Sequence, residues 1–204
     1  MNSVLSAHDQ RILDTILGPN DILAPRKLID ESRRPDQWVP TEQVEKYVLL
    51  EANARELAQN NEIEKALGIF DKIITDSPLY ASAYNNRAQT KRLLYPDEAA
   101  PEGVISDLKM AIKLSQPKAA LLQISKMQAL VLHNSYFQLA AVYLAQSKLP
   151  ENWEKAWSLH MKSSEMMVEA SVYGDHMSAA IGKIVNPYAQ LNAETFETMM
   201  KPFY

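Results

Sequence analysis

From residue 41 onward the apolar positions Val44, Tyr47, Leu50, Ala54, Leu57 and Ala58 fall mostly three and four apart, the stripe of an amphipathic helix opened by Pro40 and Thr41. The polar run QNNE breaks that stripe. A second stripe follows through Ile63, Ala66, Leu67, Phe70, Ile73 and Ile74 and stops at DSP, because Pro78 disfavours helical geometry in the residue before it. The two stripes predict a helical hairpin. No alternating strand pattern competes with it, and glycine, the residue that most weakens helix after proline, occurs only five times. The fold class read from this pattern is all-α.

The hairpin recurs. Moving Leu50, Ala54 and Leu57 on by about 34 residues reaches Tyr84, Ala88 and Lys91, and a shift of about 38 carries Ala66, Phe70 and Ile73 to Val104, Leu108 and Ala111, with Pro117 closing as Pro78 did. The extra residues fall in the turn around LLYPDEAAPEG. A weaker third copy places Tyr136, Ala140, Ala156, His160 and Ser163 in register. Large, small, small, aromatic, small and then proline is the packing order of a tetratricopeptide repeat. It predicts an all-α helical-hairpin solenoid with repeats over about 47–80, 81–118 and 119–170. These lie in a domain spanning 43–204, preceded by an arm spanning 1–42. Residues 118 to 132 are expected to add about four helical turns ahead of the third unit. A cap over 171–204 is expected to end in a helix begun by Asn186 and Pro187 in VNPYAQLNAETFETMM.

Within the arm, Ser6 is placed to cap a short helix carrying Ile12, Leu13, Ile16 and Leu17, ended by Gly18 and Pro19. So short a helix gains stability by docking, on the solenoid, in its groove or on another chain. Trp38, in RRPDQWVP, has no helix of its own, so it either docks on the repeats or reaches a partner.

Composition narrows the function. With 47% hydrophobic residues the 204-residue chain can bury a core, and a net charge of −4 supplies no basic field for nucleic acid. The apolar stretches are interrupted well before the roughly 20 residues of a membrane span, and MNSVLSAHDQR is not a signal peptide. With no cysteine there is no disulfide, thiolate nucleophile or cysteine-bound metal. A soluble, cytoplasmic protein is expected, with the nucleus open as a second compartment.

Catalytic chemistry finds no foothold. His8, His133, His160 and His176 lack paired metal-ligand spacing, and His160 occupies an aromatic packing position. No glycine-rich phosphate loop or framed nucleophile is present, so neither enzyme activity nor a cofactor or metal is expected. The methionines Met161, Met166, Met167, Met177, Met199 and Met200 read either as filler of an irregular core or as an adaptable binding surface. On the first helix of the second unit, Asn85, Asn86, Gln89 and Arg92 share one side, either lining a groove or simply solvated.

ASAYNNRAQTKRL followed by ISDLKMAIKLS, VNPYAQLN near the end and DQRILDTILGP at the start together resemble the tetratricopeptide repeat protein 36 family. The resemblance covers nearly the whole chain, although the third unit is longer and the 19–42 segment more basic and proline-rich than is usual in that family. It implies a non-catalytic adaptor of co-chaperone type whose partner is a heat-shock chaperone of the seventy-kilodalton class. Many repeat proteins of this kind hold the chaperone's Glu-Glu-Val-Asp tail in a clamp of lysines, asparagines and arginine. Asn86 stands at the second-unit asparagine of such a clamp. Glu51 and Arg55 replace its first-unit lysine and asparagine, and Asn134 and Gln138 hold its third-unit basic positions. Glu51, Arg55, Asn85, Asn86, Gln89 and Arg92 are the candidate partner-binding residues. The alternative is a scaffold that binds or stabilises a non-chaperone client such as a metabolic enzyme.

Overall fold

A computed structural model describes residues 29–94, 99, 101–117 and 123–174. Six α-helices follow one another: α1 (Thr41–Gln59), α2 (Ile63–Asp76), α3 (Ala81–Leu94), α4 (Val104–Ser115), α5 (Lys126–Ser147) and α6 (Ala156–Tyr173), with a 3-10 turn at Pro150–Lys155 leading into the last. Among the described residues there is no strand beyond a single bridge between Ile29 and Ile124. The all-α hairpin architecture of the sequence pattern is the architecture of the molecule.

Local chemistry sets the boundaries. Asn61 takes a left-handed backbone, φ 62°, and turns the chain between α1 and α2, a conformation asparagine tolerates better than most residues. Gly103, φ 77°, opens α4 where any side chain would be strained. Ser125 begins α5 with a capping box: its hydroxyl accepts the Gln128 N–H at 3.1 Å while the Gln128 side chain accepts the Ser125 N–H at 3.0 Å. This box corrects the expectation of separate helical turns over 118–132. Residues 126–132 are the first turns of α5 itself, which then runs unbroken through Tyr136; residues 118–122 lie outside the described chain.

The repeat positions meet in the core. Tyr47, Ala54, Ala66, Phe70, Ile73, Tyr80 and Ala83 form one buried cluster joining the first hairpin to α3. Ala88, Val104, Leu108, Leu132, Tyr136 and Leu139 form another joining the second hairpin to α5. Alanine at the crossings lets the backbones approach, and the aromatic beside it fills the gap, so each hairpin buries its face only against the next. His160 is half-buried. Of the methionines, Met167 is buried and Met161 and Met166 half-buried, while Met177, Met199 and Met200 fall outside the described residues.

One departure from the apolar pattern has an electrostatic explanation. Lys91 stands at the register position of Leu57, and its ammonium lies 3.0 Å from Asp107 of α4. Arg87 grips the same carboxylate twice, at 2.6 and 2.9 Å, and reaches Asp71 of α2 at 2.7 Å. With only 5% of the Asp107 side chain exposed, one buried anion joins α4 to two cations on α3.

Residues 29–40 form a strap along the repeats. The Asp30 N–H donates to the Ile124 carbonyl at 2.9 Å, the Arg33 guanidinium to the Gln123 carbonyl, and the Ser125 hydroxyl to the Pro35 carbonyl at 2.6 Å. Further on, the Gln37 amide and the Trp38 indole both donate to the Leu114 carbonyl, at 2.6 and 2.9 Å. Those contacts satisfy an acceptor in the last turn of α4 that no intrahelical N–H reaches. Trp38 thus takes the docked alternative. The buried Asp36 carboxylate accepts the Trp38 and Val39 N–H groups at 2.7 and 3.0 Å, bending the strap into α1, and burial raises its pKa. The N-terminal helix predicted around Ile12 lies outside the described residues. Replacing Trp38 with alanine is expected to cost about 1 to 2 kcal/mol, from one hydrogen bond and part of an aromatic's burial. Limited proteolysis would show it as faster cleavage near residues 29–40.

Candidate functional site

The first helices of the three hairpins, α1, α3 and α5, stand side by side and make one wall. Their exposed and half-buried positions recur at three and four: Val48, Ala52 and Arg55 on α1, half-buried Asn86 with exposed Gln89 and Leu93 on α3, and exposed Leu130 and Phe137 with half-buried Asn134 and Ala141 on α5. Beneath them runs a polar seam. The Tyr80 hydroxyl donates to Glu51 at 3.5 Å, and the Asn86 amide donates to Ser82 at 3.3 Å. The Asn85 amide donates to Asn86 at 3.2 Å; Ser135 and Gln138 in turn donate to the Asn85 oxygen at 3.0 and 2.9 Å.

The seam divides the six candidate residues. Glu51 and Asn85 are buried, each only 4% exposed, and serve as joints between helices. Asn86 is half-buried and bridges the joints to the surface. Arg55 and Gln89 are exposed and Arg92 is half-buried. Burial draws the Arg92 guanidinium's pKa down, because desolvation disfavours its charged form. Gln138, one of the third-unit clamp positions, is also drawn into the seam, whereas Asn134 is half-buried.

Glu51 differs from the repelling surface carboxylate that its sequence position implies. Burial raises its pKa, and hydrogen bonds from Ser82, Asn86 and Tyr80 and the nearby Arg55 charge offset this only in part. A raised carboxyl pKa means that the folded protein holds the proton more tightly than the unfolded chain. The associated stability is complete below the unfolded value and is lost as pH rises through the folded one. Glu51→Gln, which keeps the size and removes the charge, is therefore expected to be more stable than the parent at pH 7. That advantage should shrink toward pH 4, as measured by urea denaturation across the range.

Sequence reasoning passed over the apolar side chains beside these groups. Phe137 is 38% exposed and stacks on His133, while Leu93 and Leu130 are more than half exposed. Their signal was present as the three-and-four spacing on the face opposite the core. Among the described residues no group of three or more histidine or acidic side chains is placed to hold a metal ion. No described helix is long and apolar enough to cross a membrane.

Successive hairpins packed through small and aromatic residues define a tetratricopeptide-repeat protein. Comparison with known proteins carries the assignment further. The chain is 30% identical over 190 residues to the tetratricopeptide repeat protein 36 of Danio rerio, covering 91% of this chain and 88% of that protein. It is 36% identical over 117 residues to the Drosophila melanogaster homolog and 32% identical over 115 residues to the Homo sapiens protein, in both cases over little more than half of this chain (56% and 53%) and about three fifths of the relative (60% and 59%). The chain belongs to the tetratricopeptide repeat protein 36 family. No family model and no solved structure matches it.

Proposed function

We propose that the protein is a cytoplasmic, non-catalytic adaptor that holds a protein partner along the α1, α3 and α5 wall. The observation that carries this reading is the buried seam from Glu51 to Gln138. It fixes the three helices relative to one another and leaves Arg55, Gln89 and Phe137 exposed and Arg92 half-buried. A preset wall loses little conformational freedom when a ligand binds, and a wall that carries cations and an exposed aromatic on its three helices suits a peptide that presents carboxylate and apolar side chains. A co-chaperone role, with a chaperone of the seventy-kilodalton class as partner, follows from that chemistry and from family membership. Glu51, withdrawn from the surface and hydrogen-bonded within the seam, opposes an acidic tail less than an exposed glutamate would.

A scaffold for a non-chaperone client, such as a metabolic enzyme, is the second reading. It is favoured by the replacement of most clamp cations, with Glu51 and Gln138 turned inward. Isothermal titration with a peptide ending in Glu-Glu-Val-Asp separates the two. Micromolar binding that is weakened about tenfold by Arg92→Ala and abolished by neutralising the peptide's carboxylates supports the chaperone reading. No binding by the folded protein retires it in favour of a client selected by other chemistry.

A further inference from the structure

The polar seam beneath the wall has a direction. Gln138 on α5 donates its amide to the Asn85 oxygen at 2.9 Å, Asn85 donates in turn to the Asn86 oxygen at 3.2 Å, and Asn86 donates to the Glu51 carboxylate on α1. Three consecutive amides therefore turn their N–H groups toward Glu51 and their carbonyls away from it. The Ser135 hydroxyl joins the row by donating to Asn85 at 3.0 Å. An ionised carboxylate only accepts hydrogen bonds, so this is the direction that an anionic Glu51 imposes.

Each end of the row leaves an acceptor unmet. Glu51 Oε1 and Gln138 Oε1 are buried without a hydrogen-bond partner, in residues that are 4% and 9% exposed. Such acceptors are costly to keep. Glu51 is faced by Arg55, one turn further along α1, by Tyr80, ahead of α3, and by the uncharged Ser82 and Asn86 of α3. Arg55 favours the anion. Tyr80 stays a donor throughout, because burial and the Glu51 charge push its phenol pKa well up. Burial of Glu51 is the largest influence and favours the neutral acid.

We propose that Glu51, Asn86, Asn85 and Gln138 form a proton-sensing relay, in which protonation of Glu51 on α1 reverses the row and is felt on α5. An amide rotated by half a turn exchanges its oxygen and nitrogen with almost no change of shape, so the same positions serve either direction. The Glu51 acid then donates to Asn86, Asn86 to Asn85 and Asn85 to Gln138, whose oxygen gains the partner it lacks. Ser135, a hydroxyl, turns from donor to acceptor. Hydrogen bonds in a row polarise one another, which favours the two uniform directions over mixed ones. Asn86 is half-buried, whereas Asn85 and Gln138 are buried, so the wall meets the relay at Asn86 and its hydrogen-bonding character there changes with pH.

The side-chain amide NMR signals of the isotope-labelled, full-length protein test this without any ligand, and so independently of the proposed partner. As pH falls from about 8 to about 4, across the ordinary glutamate range and above it, the signals of Asn86, Asn85 and Gln138 are expected to move together with one midpoint above that range. The Gln138 shift should be as large as the Asn86 shift, although Gln138 lies at the far end of the row. In Glu51→Gln all three signals should stay flat. A shift that fades steadily from Asn86 to Gln138 would reflect only the field of the Glu51 charge and would overturn the relay. Movement that persists in Glu51→Gln would overturn it too. Should that variant fold poorly, the comparison of Gln138 with Asn86 in the parent protein decides alone.

Discussion

Asp107→Ala is expected to lower stability by about 3 to 5 kcal/mol, the usual cost of removing one partner from a buried ion pair. The aspartate is shared: Arg87 holds both of its oxygens and Lys91 holds one, and these cations are mostly buried, with 19% and 23% of their side chains exposed. Without Asp107, two positive charges one turn apart on α3 lose the anion they share, and among the described residues Arg87 keeps Asp71 as a counterion. Asp71→Ala supplies the contrast. Its side chain is 60% exposed, so water can replace much of what it gives Arg87, and a loss of about 1 kcal/mol or less is expected. Urea denaturation of both variants would show whether the difference is as large as burial requires. Equal losses would mean that the cations find other partners.

Phe70→Ala should cost a comparable 3 to 5 kcal/mol, for a different physical reason. Its ring is 1% exposed among Tyr47, Ala54, Ala66 and Ile73, all in the same buried cluster, so truncation leaves a cavity in a packed core. Phe137→Ala, on the outward side of α5, should leave the midpoint of unfolding nearly unchanged and weaken partner binding instead. A thermal melt and a titration on the two variants would therefore move in opposite directions. If Phe137→Ala were the more destabilising, the assignment of Phe137 to the binding wall would fail.

These cases mark what was legible in the sequence. The hairpins followed from local periodicity because a repeat array is built from contacts between neighbours, so Ala54, Phe70, Ala88 and Leu108 reach the core by spacing alone. Candidate site residues were harder to place. Asn85 and Asn86 are adjacent and chemically identical, yet Asn85 is a buried joint and Asn86 only half-buried, because about 100° of helical rotation turns one toward Ser135 and Gln138. Glu51 stands at a clamp position by spacing, yet it is buried, and that burial depends on Tyr80 and Ser82, about thirty residues on. The strap was beyond pattern altogether: proline, aspartate and arginine predict irregular chain, and only the Leu114, Gln123 and Ile124 carbonyls determine where it runs.

The strap has a bearing on how the molecule assembles. A repeat array held only by neighbouring contacts can fray from either end one unit at a time. The pairing of Ile29 with Ile124, and of Trp38 with Leu114, joins segments roughly 76 to 95 residues apart. Such contacts pay their loop-closure entropy before they return any stability, so they form late, after the hairpins have folded. During synthesis residues 29–40 leave the ribosome first yet must wait for Ile124 before they can dock. Once closed, the strap couples the first unit to the third, so that loss of either end requires opening both, and an array of semi-independent hairpins unfolds as one cooperative body.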